Sequence, residues 1–250
     1  MRVLILGGTT EASALARALE GDALIRPVMS FAGRTKAPVL PNIPCRVGGF
    51  GGVAGLVLYL REQGFEAVVD VTHPFAAQMT RHAVQACAEA GVALLRLDRP
   101  GWTAQEGDRW TMVADMDAAA AAIGGAPRRV LLTIGQQDLR PFTRHRHHYV
   151  VRSVDAPAEA SLPAGASVIT ARGPFAVADE CRLLVEREIE VLVTKNSGGL
   201  ATAAKLEAAR GLGLRVIMVE RPLSPGCDTV DDVAGVLAWL GHHAALRRGA

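Results

Sequence analysis

Met1-Arg-Val-Leu-Ile-Leu-Gly7-Gly8-Thr9-Thr10-Glu11 opens the chain, and its reading decides the fold class. Val3 to Leu6 is a short apolar run that reads as a strand buried on both faces. It breaks at two glycines, and a helical pattern (Ala14, Leu15, Ala18, Leu19) follows at once. A strand, a glycine turn and a helix in succession bring backbone N–H groups and the positive end of a helix to a phosphate. Glycine suits that turn because a Cβ would keep the backbone away from a ligand. Thr9 and Thr10 can cap the helix and also bond phosphate oxygens. The motif is not the usual G-x-G-x-x-G, so a tight turn without a ligand is the alternative.

The whole chain sets bounds. With 250 residues it could form one α/β domain or two smaller ones. Half of the residues are hydrophobic, yet no apolar run approaches the length of a membrane span and Met1 leads directly into a strand. The expectation is a cytoplasmic protein without a signal peptide. Four cysteines, Cys45, Cys87, Cys181 and Cys227, lie far apart, which argues against a zinc site or a disulfide framework. A formal charge of +2 and 4% aromatic residues give no support to a nucleic-acid surface.

Ala23 to Met29 reads as the second strand, ending in Ser30-Phe31-Ala32-Gly33-Arg34-Thr35-Lys36. An NAD-binding fold would place an acid there for the ribose 2′-hydroxyl. This loop has a hydroxyl and two cations instead, and Arg can grip a 2′-phosphate with two parallel hydrogen bonds. A bound dinucleotide should therefore be NADPH. Cys45-Arg46-Val47-Gly48-Gly49-Phe50-Gly51-Gly52 reads as a glycine-rich loop before a helix, its entropy cost suggesting close approach to a ligand. Ala67 to Val71 is a buried strand ending in Thr72-His73-Pro74-Phe75-Ala76. Thr72 suits the cap, and Pro74 the first turn, of a helix from Phe75 to Ala90. His73 could be an acid, a carboxylate partner or a structural residue. Val92 to Leu97 closes a βαβαβαβ unit, and Asp98-Arg99-Pro100-Gly101-Trp102 marks the boundary.

The second half repeats the pattern, with strands at 129–134, 149–154, 167–170, 191–194 and 214–219 and helices between them. Alternation in both halves implies parallel sheets. The expected architecture is two Rossmann-like domains, 1–97 and 98–250, with a cleft between them. Arg144-His145-Arg146-His147-His148 reads as a solvated basic edge rather than a metal site. The turns after the strands collect Gln136 and Gln137, then Arg172 and Gly173, then Lys195-Asn196-Ser197-Gly198-Gly199. That last turn precedes a helix and could receive an anion. The set suits a substrate with several carboxylates. Lys195, if buried at its strand end, would need a negative partner.

Gly7-Gly8-Thr9-Thr10-Glu11-Ala12, Gly48 to Gly52, Thr72-His73-Pro74-Phe75-Ala76, Ala171-Arg172-Gly173-Pro174-Phe175 and Thr194-Lys195-Asn196-Ser197-Gly198-Gly199 occur in this order. Their succession resembles the precorrin-6A reductases of cobalamin biosynthesis over nearly the whole chain. Gln136 departs from that pattern, where Arg is expected. The resemblance implies NADPH-dependent reduction of one double bond of precorrin-6A to give precorrin-6B. The reductase of the anaerobic route, acting on a cobalt-containing macrocycle, is the near alternative. A phosphate-handling or nucleotide-sugar enzyme and a non-catalytic NADPH-binding regulator are the more distant ones. NADPH would be held by Gly7, Gly8, Thr9, Thr10, Ser30, Arg34, Gly48, Gly49, Phe50 and Thr72. The tetrapyrrole would meet Arg172, Gly173, Lys195, Asn196, Ser197, Gly198 and Gly199, with Lys195 or His73 (or solvent) as proton donor. No metal, nucleic acid or membrane is expected, and a monomer is the expectation for assembly.

Overall fold

The computed structural model describes residues 1–33, 39–224 and 226–246. Its chain divides into two compact units, Met1–Pro100 with Pro222–Ala250, and Gly101–Arg221.

In the first unit the strands are β1 (Arg2–Leu6), β2 (Arg26–Phe31), β3 (Cys45–Val47), β4 (Ala67–Asp70) and β5 (Ala93–Leu97); the helices are α1 (Thr10–Ala18), α2 (Gly52–Glu62) and α3 (Ala77–Ala90). Along β1, Val3 and Ile5 enter one core with residues of α1, while Leu4 and Leu6 enter a second core with residues of α2 and α3. Both faces of the sheet are thus covered, which is why β1 carries no polar alternation. Burying each such aliphatic side chain is worth about 1.5–3 kcal/mol.

The second unit contains β6 (Arg109–Val113), α4 (Met116–Ile123), β7 (Arg129–Thr133), β8 (His148–Ser153), β9 (Ser167–Thr170), α5 (Val177–Glu186), β10 (Val191–Lys195), α6 (Ala204–Gly211) and β11 (Arg215–Val219). The chain then returns to the first unit with β12 (Asp228–Val230) and α7 (Val233–Leu246). The sheet orders are β12-β5-β4-β1-β2-β3 and β6-β11-β10-β7-β8-β9. Every strand pair is parallel. These are two Rossmann-like sheets. Each reverses its strand order once, between β1 and β4 and between β7 and β10, and ligands bind at such switch points outside the carboxyl ends of the strands.

Three edge strands, β3, β6 and β12, fall in stretches whose sequence reads as loop or irregular connection. The expected division at 98–250 is corrected by one of them. β12 aligns Asp228 to Val230 with Leu95 to Leu97, and Asp98 donates from its backbone to Val230 O at 2.8 Å. The open edge of β5 needs backbone partners, and the C-terminal segment supplies them. The helix expected from Phe75 begins at Ala77, after a turn closed by Ala76 N to His73 O at 2.7 Å.

Candidate active site

At the first switch point, Gly7 follows β1 and Thr9 caps α1, its Oγ1 accepting from Ala12 N at 3.1 Å. The same hydroxyl donates to Val71 O at 2.8 Å, which ties the turn after β1 to the turn after β4. Gly8 has φ +118°, a conformation side chains avoid, and a Cβ there would project into open space. That space lies next to the N–H groups that open α1. Thr10 Oγ1 donates to Glu11 Oε2 at 3.1 Å, and Glu11 in turn pairs with Arg99.

Behind the turn after β4 lies a buried ionic network. Asp70 and Arg96 are 0% and 3% exposed and pair at 2.7 Å. Asp70 Oδ1 accepts from Thr72 N at 3.0 Å and from Thr72 Oγ1 at 2.7 Å, while Oδ2 accepts from Thr80 Oγ1 at 2.7 Å. Thr72 therefore does not cap α3; its hydroxyl belongs to the Asp70 carboxylate. His73 Nδ1 accepts from Phe75 N at 3.2 Å, which places the proton of the neutral imidazole on Nε2. The network holds the Thr72–His73 turn in one geometry.

On the other side of β1, Ser30 ends β2 beside β3, and its Oγ accepts from Arg46 Nη1 at 2.8 Å. Arg46 also binds Gly48 O and Gly49 O, so the glycine-rich loop is anchored by a residue to which the sequence assigned no role. Arg34 lies outside the described residues.

At the second switch point, Lys195 ends β10 and its Nζ donates to Asp138 Oδ2 at 2.5 Å. Lys195 is half-buried, and its negative partner Asp138 lies in the 3₁₀ turn Gln136–Asp138 after β7. Gln136 and Gln137 are exposed. The side chain of Asn196 is committed to the backbone of Trp102: Oδ1 accepts from Trp102 N at 2.7 Å and Nδ2 donates to Trp102 O at 3.0 Å. Arg221 Nε donates to Asn196 O at 2.8 Å. Asn196 thus shapes the loop that carries Lys195 and the buried Ser197. Gly198 and Gly199 lead into a 3₁₀ turn, Leu200–Thr202, so α6 begins five residues after Gly199. Gly173 sits where a Cβ would come within 2.7 Å of Ala201 O, and Phe175 N donates to that oxygen at 3.2 Å. The loop carrying the exposed Arg172 is therefore seated directly on the turn after Gly199.

Beneath these two loops is a charged cluster that sequence reasoning missed. Arg152 of β8 pairs with Glu180 of α5, both buried, and its guanidinium lies 4.2 Å over the Phe175 ring. Lys205 of α6 is 4% exposed, with Nζ 5.1 Å from the Trp102 ring centroid. Burial first, then the charge of Arg152, pushes the Lys205 amine from 10.5 down to about 7, against the opposing pull of Glu180. The folded chain then binds fewer protons than the unfolded chain between those two values. Stability climbs as pH rises from about 7 to 10.5, and the full cost of the buried ammonium is present below 7. Lys205→Met is expected to stabilise the protein by on the order of a few kcal/mol at slightly acid pH and to flatten that climb. Melting curves of both proteins across neutral to alkaline pH check this; parallel curves would sink it.

The model of the family described as Precorrin-6x reductase CbiJ/CobK matches residues 2–241. The chain belongs to this reductase family. Precorrin-6A reductase of Rhodobacter capsulatus is 53% identical over 250 residues, covering 99% of each protein. A solved structure named CobK precorrin-6A reductase is 52% identical, with a TM-score of 0.92 and 97% of each chain covered. Cobalt-precorrin-6A reductase of Priestia megaterium is 30% identical over 176 residues, 66% of this chain and 68% of that protein.

As a precorrin-6x reductase family member the chain is an oxidoreductase of cobalamin biosynthesis, and a reductase of this type implies a nicotinamide cofactor. The regulator and sugar-nucleotide alternatives fall away. Among the described residues no helix is long and apolar enough to cross a membrane.

Proposed function

We propose that the chain reduces one double bond of precorrin-6A, with NADPH as the donor, to give precorrin-6B. The observation that carries this reading is the pairing, within one member of the family, of an open glycine turn at one switch point with an ammonium–carboxylate pair at the other. A bound nicotinamide cofactor supplies a hydride and its electron pair. The macrocycle carbon that accepts it gains a C–H bond, and the neighbouring atom of the former double bond takes a proton.

The residues divide that work. The Gly7–Thr10 turn receives the pyrophosphate at the N-terminus of α1, where backbone donors and the helix dipole favour an anion. Ser30, the Gly48–Phe50 loop and Arg34 take the adenosine end, with Arg34 on the 2′-phosphate. Thr72 acts through its backbone position, fixed by Asp70. Arg172, Gly173 and the 196–199 loop meet the carboxylate side chains of the substrate. Lys195, held by Asp138, is the proposed proton donor, with His73 Nε2–H as second candidate. Positioning contributes much of the rate, because the hydride donor and acceptor carbons must be held near contact.

A fluorescence titration with NADPH and NADH, on wild type and Arg34→Ala, tests the cofactor assignment. Strong preference for NADPH, lost in the variant, is expected; equal affinities in wild type would remove it. Arg172→Ala is expected to raise KM for the tetrapyrrole about tenfold with little change in kcat, as for one lost charged contact. An unchanged KM would end that role. The higher identity to the precorrin-6A reductase named above favours the cobalt-free substrate, and turnover of cobalt-free against cobalt-loaded macrocycle decides between the two routes.

A further inference from the structure

Arg46 is a cation that the hydride step does not use. It lies on the edge strand β3, directly opposite Ser30 of β2. Its guanidinium turns back toward the end of β2: Nη1 donates to Ser30 Oγ at 2.8 Å and Gly48 O at 2.9 Å, and Nη2 donates to Gly49 O at 3.0 Å. The plane is fixed from one side by the Phe50 ring, 4.0 Å from Cζ, with the Tyr59 ring at 5.1 Å. These partners are a hydroxyl, two carbonyls and two aromatic faces. Among the described residues no carboxylate pairs with Arg46, so the site holds an organised, uncompensated positive charge.

A guanidinium has five N–H donors. Among the described residues three are used, which leaves Nε–H and the second Nη2–H. Ser30 Oγ accepts from Arg46, so its own O–H remains to be donated. At Gly49, whose carbonyl accepts from Nη2, a Cβ would meet nothing within 4 Å. In a sheet of this order the adenosine ribose lies at the carboxyl end of β2, whereas the pyrophosphate lies at the turn after β1. The charge is therefore placed for the ribose end and not for the pyrophosphate.

We infer that Arg46, together with the Ser30 hydroxyl and beside the proposed Arg34 contact, also contacts the 2′-phosphate of NADPH and contributes to the preference for the phosphorylated dinucleotide. This rests on the NADPH reading above. The competing role for Arg46 is an anchor of the Gly48–Phe50 loop alone, which would affect every adenosine ligand equally.

The test is calorimetric titration of the full chain with adenosine 2′,5′-bisphosphate and adenosine 5′-monophosphate, for wild type, Arg46→Met and Ser30→Ala. Wild type is expected to prefer the bisphosphate. Arg46→Met is expected to lose about 10–100-fold affinity for the bisphosphate and less than about threefold for the monophosphate, as for loss of charge-assisted contacts to one phosphate. Ser30→Ala is expected to lose about threefold to tenfold, again for the bisphosphate alone. It keeps the test intact should Arg46→Met not fold. Equal losses for both ligands would reduce Arg46 to a loop anchor and overturn the inference, as would unchanged affinities. A wild type that binds the two ligands equally would overturn the NADPH reading together with it.

Discussion

Lys195→Met should lower kcat by roughly 10²–10⁴-fold while leaving NADPH affinity within a few-fold of wild type. The ammonium stands at the end of β10, beside the reversal of strand order, and Asp138 holds it there from the neighbouring β7 turn. Met preserves the length and apolar stem of the side chain but cannot give a proton to the carbon beside the hydride acceptor. Asp138→Asn, which keeps the ammonium and loosens its placement, should fall between the two proteins in kcat. His73→Gln should lose less than Lys195→Met, since its Nε2–H is the second candidate donor. Single-turnover kinetics at saturating NADPH measure all three. Retention of most of kcat in Lys195→Met would hand the proton to His73 or to solvent. A change confined to KM would make Lys195 a substrate contact only.

Arg96→Met is expected to destabilise the first unit by about 3–5 kcal/mol, because it leaves the Asp70 carboxylate buried without its counter-ion. Asp70 is fully buried and already accepts three hydrogen bonds from Thr72 and Thr80, none of which cancels a charge. Asp70→Asn in the same chain should recover a large part of that loss, since a neutral amide still reaches Thr72 and Thr80. Chemical denaturation of the single and double variants gives the coupling. If Arg96→Met costs less than about 1 kcal/mol, the carboxylate is relieved in some other way and the network is not what fixes the Thr72–His73 turn.

Much of the fold was legible in the residues themselves. β1, β4, β7 and β10 are central, buried on both faces, and read as unbroken apolar runs. Glycines and Thr9 mark the turn that follows β1, and Lys195 at a strand end announced a partner. Of the edge strands, β9 was legible and β3, β6 and β12 were not. β3 and β12 have three residues each, and β6 has no fully buried position to mark it as an apolar run. A strand flanked on one side only need not be apolar on both faces.

The site divides along the same line. Local chemistry along the chain determined the glycine turns, the cap at Thr9 and the polar turns after β9 and β10. Tertiary structure alone decided that Asp138 meets Lys195 across 57 positions, that Arg96 meets Asp70 across 26, and that Asn196 clamps Trp102 across 94. It also decided that the C-terminal segment completes the first sheet. Apolar period and turn residues act between near neighbours and so can be read in sequence order. A charge buried at a strand end takes its partner from whichever loop the sheet order brings beside it, and that order is a property of the assembled sheet.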